Sequence, residues 1–141
     1  MKRRSATKGF VLVAADLAQV DAFAELPDGE AGSRIRASWP GPVTWVLPAR
    51  PNVPVAVTGG RETVAIRMTA HAVARALCLA AGSALISTSA NVSGRAPITR
   101  ALTLRRQLGG ALDMIVPGAL GERARPTAIR DGSTGAVIRA D

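Results

Sequence analysis

Ser83-Ala84-Leu85-Ile86-Ser87-Thr88-Ser89-Ala90-Asn91-Val92-Ser93-Gly94 is the stretch that decides the fold. Its first half, Ala84 to Ile86, is apolar and reads as a buried strand. Its second half changes within one residue to hydroxyls, an amide and a glycine. Open α/β sheets hold their ligands at such a junction, outside the carboxyl end of a strand. Ser87, Thr88, Ser89, Asn91 and Ser93 offer uncharged donors and acceptors on a turn whose backbone N–H groups can also face a ligand. None of them ionises near pH 7, so they can orient an anion without neutralising it. The positive charge must come from elsewhere in the chain. The same residues also suit an ordinary polar turn, and composition does not separate the two readings.

Upstream of that stretch, the spacing of Val73, Ala74, Leu77, Cys78 and Ala81 predicts a helix over 70–81, capped by Thr69 and stopped by Gly82. Thr63-Val64-Ala65-Ile66-Arg67-Met68 reads as a strand carrying a charge near its end. The span 50–62, rich in proline and paired glycine, reads as a surface loop. Val43 to Leu47 reads as a strand ended by Pro48. Trp39-Pro40-Gly41-Pro42 cannot be helical, because two prolines fix φ around a glycine. A weaker helix is expected over 30–38, with Arg34 and Arg36 exposed. Phe10 to Ala14 is apolar on both faces, as a buried strand would be. Asp16 is a good N-cap, and Leu17, Val20, Phe23, Ala24 and Leu26 recur at helical spacing up to Pro27.

Downstream, a helix starts at Thr99 or Arg100, with Arg105 and Arg106 outward, and Gly109-Gly110 stops it. Met114-Ile115-Val116 reads as a strand. Thr127 to Arg130 and Ala136 to Arg139 flank a Gly-bearing loop and signal a hairpin. Strands and helices alternate, so the expected class is α/β (α+β), a twisted mixed sheet with helices packed on it, in one domain spanning 1–141.

The chain has 141 residues, 48% of them hydrophobic, with two Trp, two Phe and no Tyr. It can bury a core, and that core must be aliphatic. Eighteen Lys and Arg oppose ten Asp and Glu, a formal charge of +8. That surplus favours an anionic partner, nucleotide or RNA, and Arg suits phosphate oxygens because its planar fork binds them in pairs. A compositional bias towards Arg and Ala explains part of it equally well. One cysteine, Cys78, excludes an internal disulfide, reads as core filler and fits a reducing, cytoplasmic setting. The apolar run after Met1-Lys2-Arg3-Arg4 is too short for a secretory signal, and no run approaches a membrane span.

Several chemistries drop out. There is no Gly-x-x-x-x-Gly-Lys-Ser/Thr loop and no Gly-x-Gly-x-x-Gly fingerprint. One Cys and one His cannot make a four-ligand zinc site, and no protein-held metal is expected. A serine-hydrolase triad would need His71, which lies at a helix start, and the Ser cluster lacks a Gly-x-Ser-x-Gly elbow. A site of charge and geometry without a covalent nucleophile remains. Adenylate formation needs such a site: it aligns an attacking carboxylate or carbamate with ATP and neutralises the developing charge.

Ser87-Thr88-Ser89-Ala90-Asn91-x-Ser93-Gly94 followed by Pro97, together with Trp39-Pro40-Gly41-Pro42-Val43-Thr44, Val64-Ala65-Ile66-Arg67 and Lys2-x-Arg4, resembles the YrdC/Sua5 family of threonylcarbamoyl-AMP synthases. The four stretches come in the family's order and span nearly the whole chain. The resemblance implies a reaction of L-threonine, bicarbonate and ATP, with Mg²⁺ carried on the ATP. The product modifies adenosine 37 of tRNA alongside other proteins of that pathway. It also implies that Lys2 and Arg4 with Ser89 and Asn91 hold the ATP phosphates. Arg67 and Arg139 lie by the nucleotide, and Thr69 and Thr127 face the threonine. The Trp39–Pro42 turn shapes the cleft floor.

Two departures stand out. The family's opening strand and its Pro-Thr-Glu stretch are absent, so about the first quarter of a typical member is expected to be missing. Ala72 also stands where many members have proline. The competing expectation is a module for double-stranded RNA or tRNA, or a ribosome-assembly factor, without catalysis. Arg34, Arg36, Arg105 and Arg106 would be its contacts, with Arg123 and Arg125 adding to the surplus.

Overall fold

The computed structural model describes residues 8–91, 96–121 and 127–140. Lys2, Arg4, Ser93, Arg123 and Arg125 therefore lie outside the described residues. Val11–Ala14 (β1) has no polar side chain and needs cover on both faces, so it takes an inner place in the sheet. Leu12 and Ala14 enter one core, while Val13 and Ala15 meet Cys78 on the other face. Thr44–Pro48 (β2) and Thr63–Met68 (β3) are the other central strands. Leu85–Ser87 (β4) lies at one edge; Ile129–Asp131 (β5) and Val137–Arg139 (β6) finish the other. The order is β4-β1-β3-β2-β5-β6. β1 with β3 and β2 with β5 are parallel; β1 with β4, β2 with β3 and β5 with β6 are antiparallel. The sheet is mixed, as expected.

The two faces of the sheet are covered unequally. Leu17–Asp21 (α1), Gly29–Ala37 (α2) and Val55–Thr58 (α3) contribute to the larger core. There Val20, Ile35, Val57, Trp39 and Trp45 close over Leu12, Leu47, Val64 and Ile66. Both buried indoles are satisfied: Trp39 Nε1 donates to the Val43 carbonyl and Trp45 Nε1 to Ser38 Oγ, each at 2.8 Å. On the opposite face, among the described residues, Ala72–Ala81 (α4) is the helix that supplies a buried side chain, that of Cys78. Cys78 Sγ donates to the Val13 carbonyl, and burial pushes its pKa up, so the thiol is core filler. The described residues leave the rest of that face as a cleft.

Several local expectations need correction. The first helix stops at Asp21, because residues 23–25 turn to pair with the end of β2 through Glu25 N to Pro48 O and Arg50 N to Phe23 O. The 50–62 loop contains the single turn α3. The expected buried strand 84–86 is β4, and its middle residue, Ile86, is 54% exposed at the sheet edge. Ala101–Leu108 (α5) follows Arg100, yet none of its residues is buried. Met114 to Val116 forms no strand, with Met114 78% exposed: an apolar triplet becomes a strand only where a partner edge is free.

A cationic cleft on the open sheet face

The face left uncovered by α4 is a cleft of about 1380 Å³. Its floor is set by period-two geometry. Leu12 and Ile66 point into the core, so Val11, Ala65 and Arg67 point into the cleft. Register then assigns the walls. Ser87 pairs with Val11 and Val11 with Ala65; Val13 pairs with Arg67; Thr44 pairs with Ile129 and Ile129 with Arg139. Gly41 and Pro42 line the cleft as well, held by Gly41 N donating to the Met68 carbonyl.

The lining has two ends. At the Ser89 end lie Lys8, Gly9, Arg61, Thr63, Ser87, Thr88 and Ser89. Antiparallel pairing of β1 with β4 puts the start of β1 beside the finish of β4. Ser89 Oγ donates to Asn91 Oδ1 at 2.8 Å, so the two polar residues of the Ser-x-Asn stretch act as one unit. At the Arg67 end lie Arg67, Thr69, His71, Thr127 and Arg139. Thr69 Oγ1 accepts from His71 N at 3.1 Å, and Thr127 Oγ1 lies 3.4 Å from Thr44 Oγ1. Arg139 donates to the Thr127 carbonyl at 2.8 Å. The expected cap of α4 needs correction: the helix starts at Ala72, and its N-cap is His71, whose Nδ1 accepts from Ala74 N at 3.3 Å. Thr69 stands one turn earlier, its hydroxyl at the cleft wall.

Lys8, Arg61, Arg67 and Arg139 line this cleft, and none of the described lining residues is acidic. Arg67 is the sharpest case. Burial lowers its pKa, and its Nε is buried with no hydrogen-bond partner. A guanidinium stays protonated under ordinary conditions, so a half-buried one whose Nε has no partner among the described residues leaves a donor that an anion can satisfy. The cleft has room for a small-molecule ligand.

Of the residues singled out in the sequence, Ser89, Arg67, Thr69, Thr127 and Arg139 line the cleft, while Asn91 is not a lining residue and meets it through its bond to Ser89. Sequence reasoning missed Arg61, although stepping back by twos from Arg67 through Ala65 and Thr63 reaches it. It also set His71 aside. The four RNA-contact candidates are not among the lining residues. Arg34, on the covered face with α2, already donates to the Thr134 carbonyl and pairs with Glu30 at 3.9 Å. Arg36 shares that helix, while Arg105 and Arg106 are exposed on α5.

A mixed sheet with a cleft on one face, whose charged lining among the described residues is all basic, suits an anionic small molecule. The chain matches the Sua5/YciO/YrdC family, described as "Telomere recombination", over residues 1–140, and it belongs to that family. It is 48% identical over 139 residues to a threonylcarbamoyl-AMP synthase of Nitrosococcus oceani, covering 99% of this chain and 75% of that protein. It is 49% identical over the same length to one from Halorhodospira halophila, covering 73% of it. Among solved structures, P. abyssi Sua5 complexed with L-threonine is similar at a TM-score of 0.82 and 31% identity, over 91% of this chain and 38% of that one. E. coli YciO matches at 0.78 and 25%, over 94% and 65%.

Proposed function

We propose that the cleft makes threonylcarbamoyl-AMP from L-threonine, bicarbonate and ATP. The observation that carries this reading is the buried Arg67 Nε, without a hydrogen-bond partner among the described residues, in a cleft without described acidic residues. The names of the curated relatives and the threonine complex of P. abyssi Sua5 support it.

In this reading the Ser89 end takes the triphosphate. Ser89 and Asn91 orient its oxygens, and Lys2 and Arg4, which come before β1 in the sequence, supply charge together with Lys8 and Arg61. The Arg67 end takes the amino acid. Arg67 shares that end with Thr69 and Thr127, so its charge is assigned to the threonine carboxylate and to the carbamate as it meets the α-phosphorus. Arg139 flanks the same end. Threonine's amine and bicarbonate condense to a carbamate with loss of water. A carbamate oxygen then attacks the α-phosphorus, and pyrophosphate leaves. The protein's part is alignment and charge stabilisation, without a covalent nucleophile. No described lining residue offers a carboxylate to a divalent cation, so Mg²⁺ enters as the ion carried by the triphosphate. The product is passed on for tRNA modification with other proteins of the pathway.

The test is pyrophosphate release measured with each substrate omitted in turn. Release should require ATP, threonine and bicarbonate together, and Asn91→Ala or Lys2→Ala should weaken ATP binding without lowering the melting temperature. Binding of RNA in the same protein, with no nucleotide turnover under any combination, would replace this reading with the RNA-binding one.

A further inference from the structure

Asp113 to Gly121 runs along the cleft without helix or strand, and Val116 to Gly121 lines it. Nearly every residue of this strap is exposed. Among the described residues its one hydrogen bond joins the Ala119 carbonyl to His71 Nε2 at 2.9 Å. The other ring nitrogen fixes the direction of that bond. His71 Nδ1 accepts from the Ala74 amide, which has only a proton to give. The ring proton is therefore on Nε2, and Nε2 donates to Ala119. The strap also leans on the first turn of α4 beside the same histidine. A Cβ placed on Gly118 would stand 3.1 Å from Val73, and one on Gly121 would stand 3.6 Å from the His71 ring. Val73 and His71 both line the cleft, at the end that holds Arg67, Thr69 and Thr127.

We propose that His71 is a positioning residue: its neutral, Nε2-protonated ring latches the Asp113–Gly121 strap to the N-terminus of α4 and so sets the wall of the Arg67 end of the cleft. Because that end is read above as the amino-acid site, the latch governs affinity for L-threonine and leaves ATP affinity nearly untouched. The ligand half of this proposal rests on the proposed function; the latch does not.

His71→Asn separates the two roles of the ring. An asparagine oxygen still caps a helix, but its side chain is too short to reach Ala119. His71→Ala removes both roles and serves as the destabilised control. ¹⁵N relaxation on the ligand-free protein should show Ala119 to Gly121 as rigid backbone in the wild type, with order parameters near 0.85, falling below about 0.6 in His71→Asn. The melting temperature of that variant should stay within about 3 °C of wild type, and ring ¹⁵N shifts of the wild type should report the Nε2–H tautomer. Titration should show about tenfold weaker L-threonine binding and ATP binding within about twofold. Unchanged strap order in His71→Asn would overturn the latch. A looser strap with unchanged threonine affinity, or with ATP affinity lost equally, would overturn the positioning role. A wild type that binds neither ligand would refute the functional reading instead, and the relaxation data would still decide the latch.

Discussion

At the scale of single residues, Arg67 carries most of the argument. Its guanidinium sits on the cleft side of a central strand, with Nε buried and unpartnered. Leaving a buried donor unsatisfied costs free energy, so a residue kept in that state lowers stability and earns its place only when a ligand arrives. Arg67→Met should therefore leave the melting temperature unchanged or raise it, while threonine affinity falls about ten- to hundredfold, the worth of a hydrogen bond to a charged group. Differential scanning fluorimetry and calorimetric titration on the same sample check both halves. A fall in melting temperature would mean that Arg67 holds the fold together. The strand charge was legible in Val64-Ala65-Ile66-Arg67, because a charge at the end of an apolar run has to leave the core. The burial of its Nε was not legible, since that depends on tertiary packing around the strand.

At the scale of elements, two local devices hold strands that form the cleft. Gly9 precedes β1 with φ +58°, and a Cβ there would stand 2.8 Å from the Val57 carbonyl oxygen and 3.0 Å from that of Thr58. Phe10 N donates to the same Val57 carbonyl at 2.8 Å, so the backbone cannot easily retreat. Gly9→Ala should cost about 1–3 kcal/mol in urea unfolding, from strain in a conformation L-residues rarely adopt. The second device is the β5–β6 turn. Asp131 accepts from Ser133 Oγ at 2.7 Å, from Thr134 N at 2.9 Å and from Thr134 Oγ1 at 3.0 Å. These bonds, the Ser133 hydroxyl first, lower its pKa from 3.8 to about 2. A carboxyl whose folded pKa is depressed stabilises the fold above its unfolded value and loses that contribution as pH falls towards the folded one. The turn should thus loosen between about pH 4 and pH 2, and Asp131→Asn should abolish that step, as followed by amide shifts of Ser133 and Thr134. Element positions were mostly readable from pattern. The hairpin and β3 fall where alternation put them. The first helix ended early and Met114–Val116 stayed unpaired, because helix length and strand pairing depend on what lies across from the segment.

At the scale of the whole molecule, the decisive fact is the unequal cover of the two sheet faces. Among the described residues three helices pack over one face, while α4 buries Cys78 on the other, and the remaining floor becomes the cleft. The charges in it are placed at different depths. Lys8 and Arg61 are exposed at the rim, and Arg67 is mostly withdrawn. Salt screens exposed charges far more than buried ones. Raising NaCl from 50 to 500 mM should therefore weaken ATP several-fold, while L-threonine affinity changes less than about twofold. Equal sensitivity of the two ligands would show that they share one set of charges. No described helix is long and apolar enough to cross a membrane.

The sequence by itself determined most of the strands, though not the unpaired Met114–Val116, and also the polar switch after Ile86, the excess of arginine and, through four ordered stretches, the family. These follow from properties local in the chain: alternation, turn chemistry and charge count. Only the tertiary structure decided that Arg67 and Arg139 stand with Thr69 and Thr127 at one end, that Arg61 joins the site, and that His71 spans 48 residues to hold a strap. The reason is register: which residues share a cleft depends on how strands distant in sequence align, and no local pattern encodes that alignment.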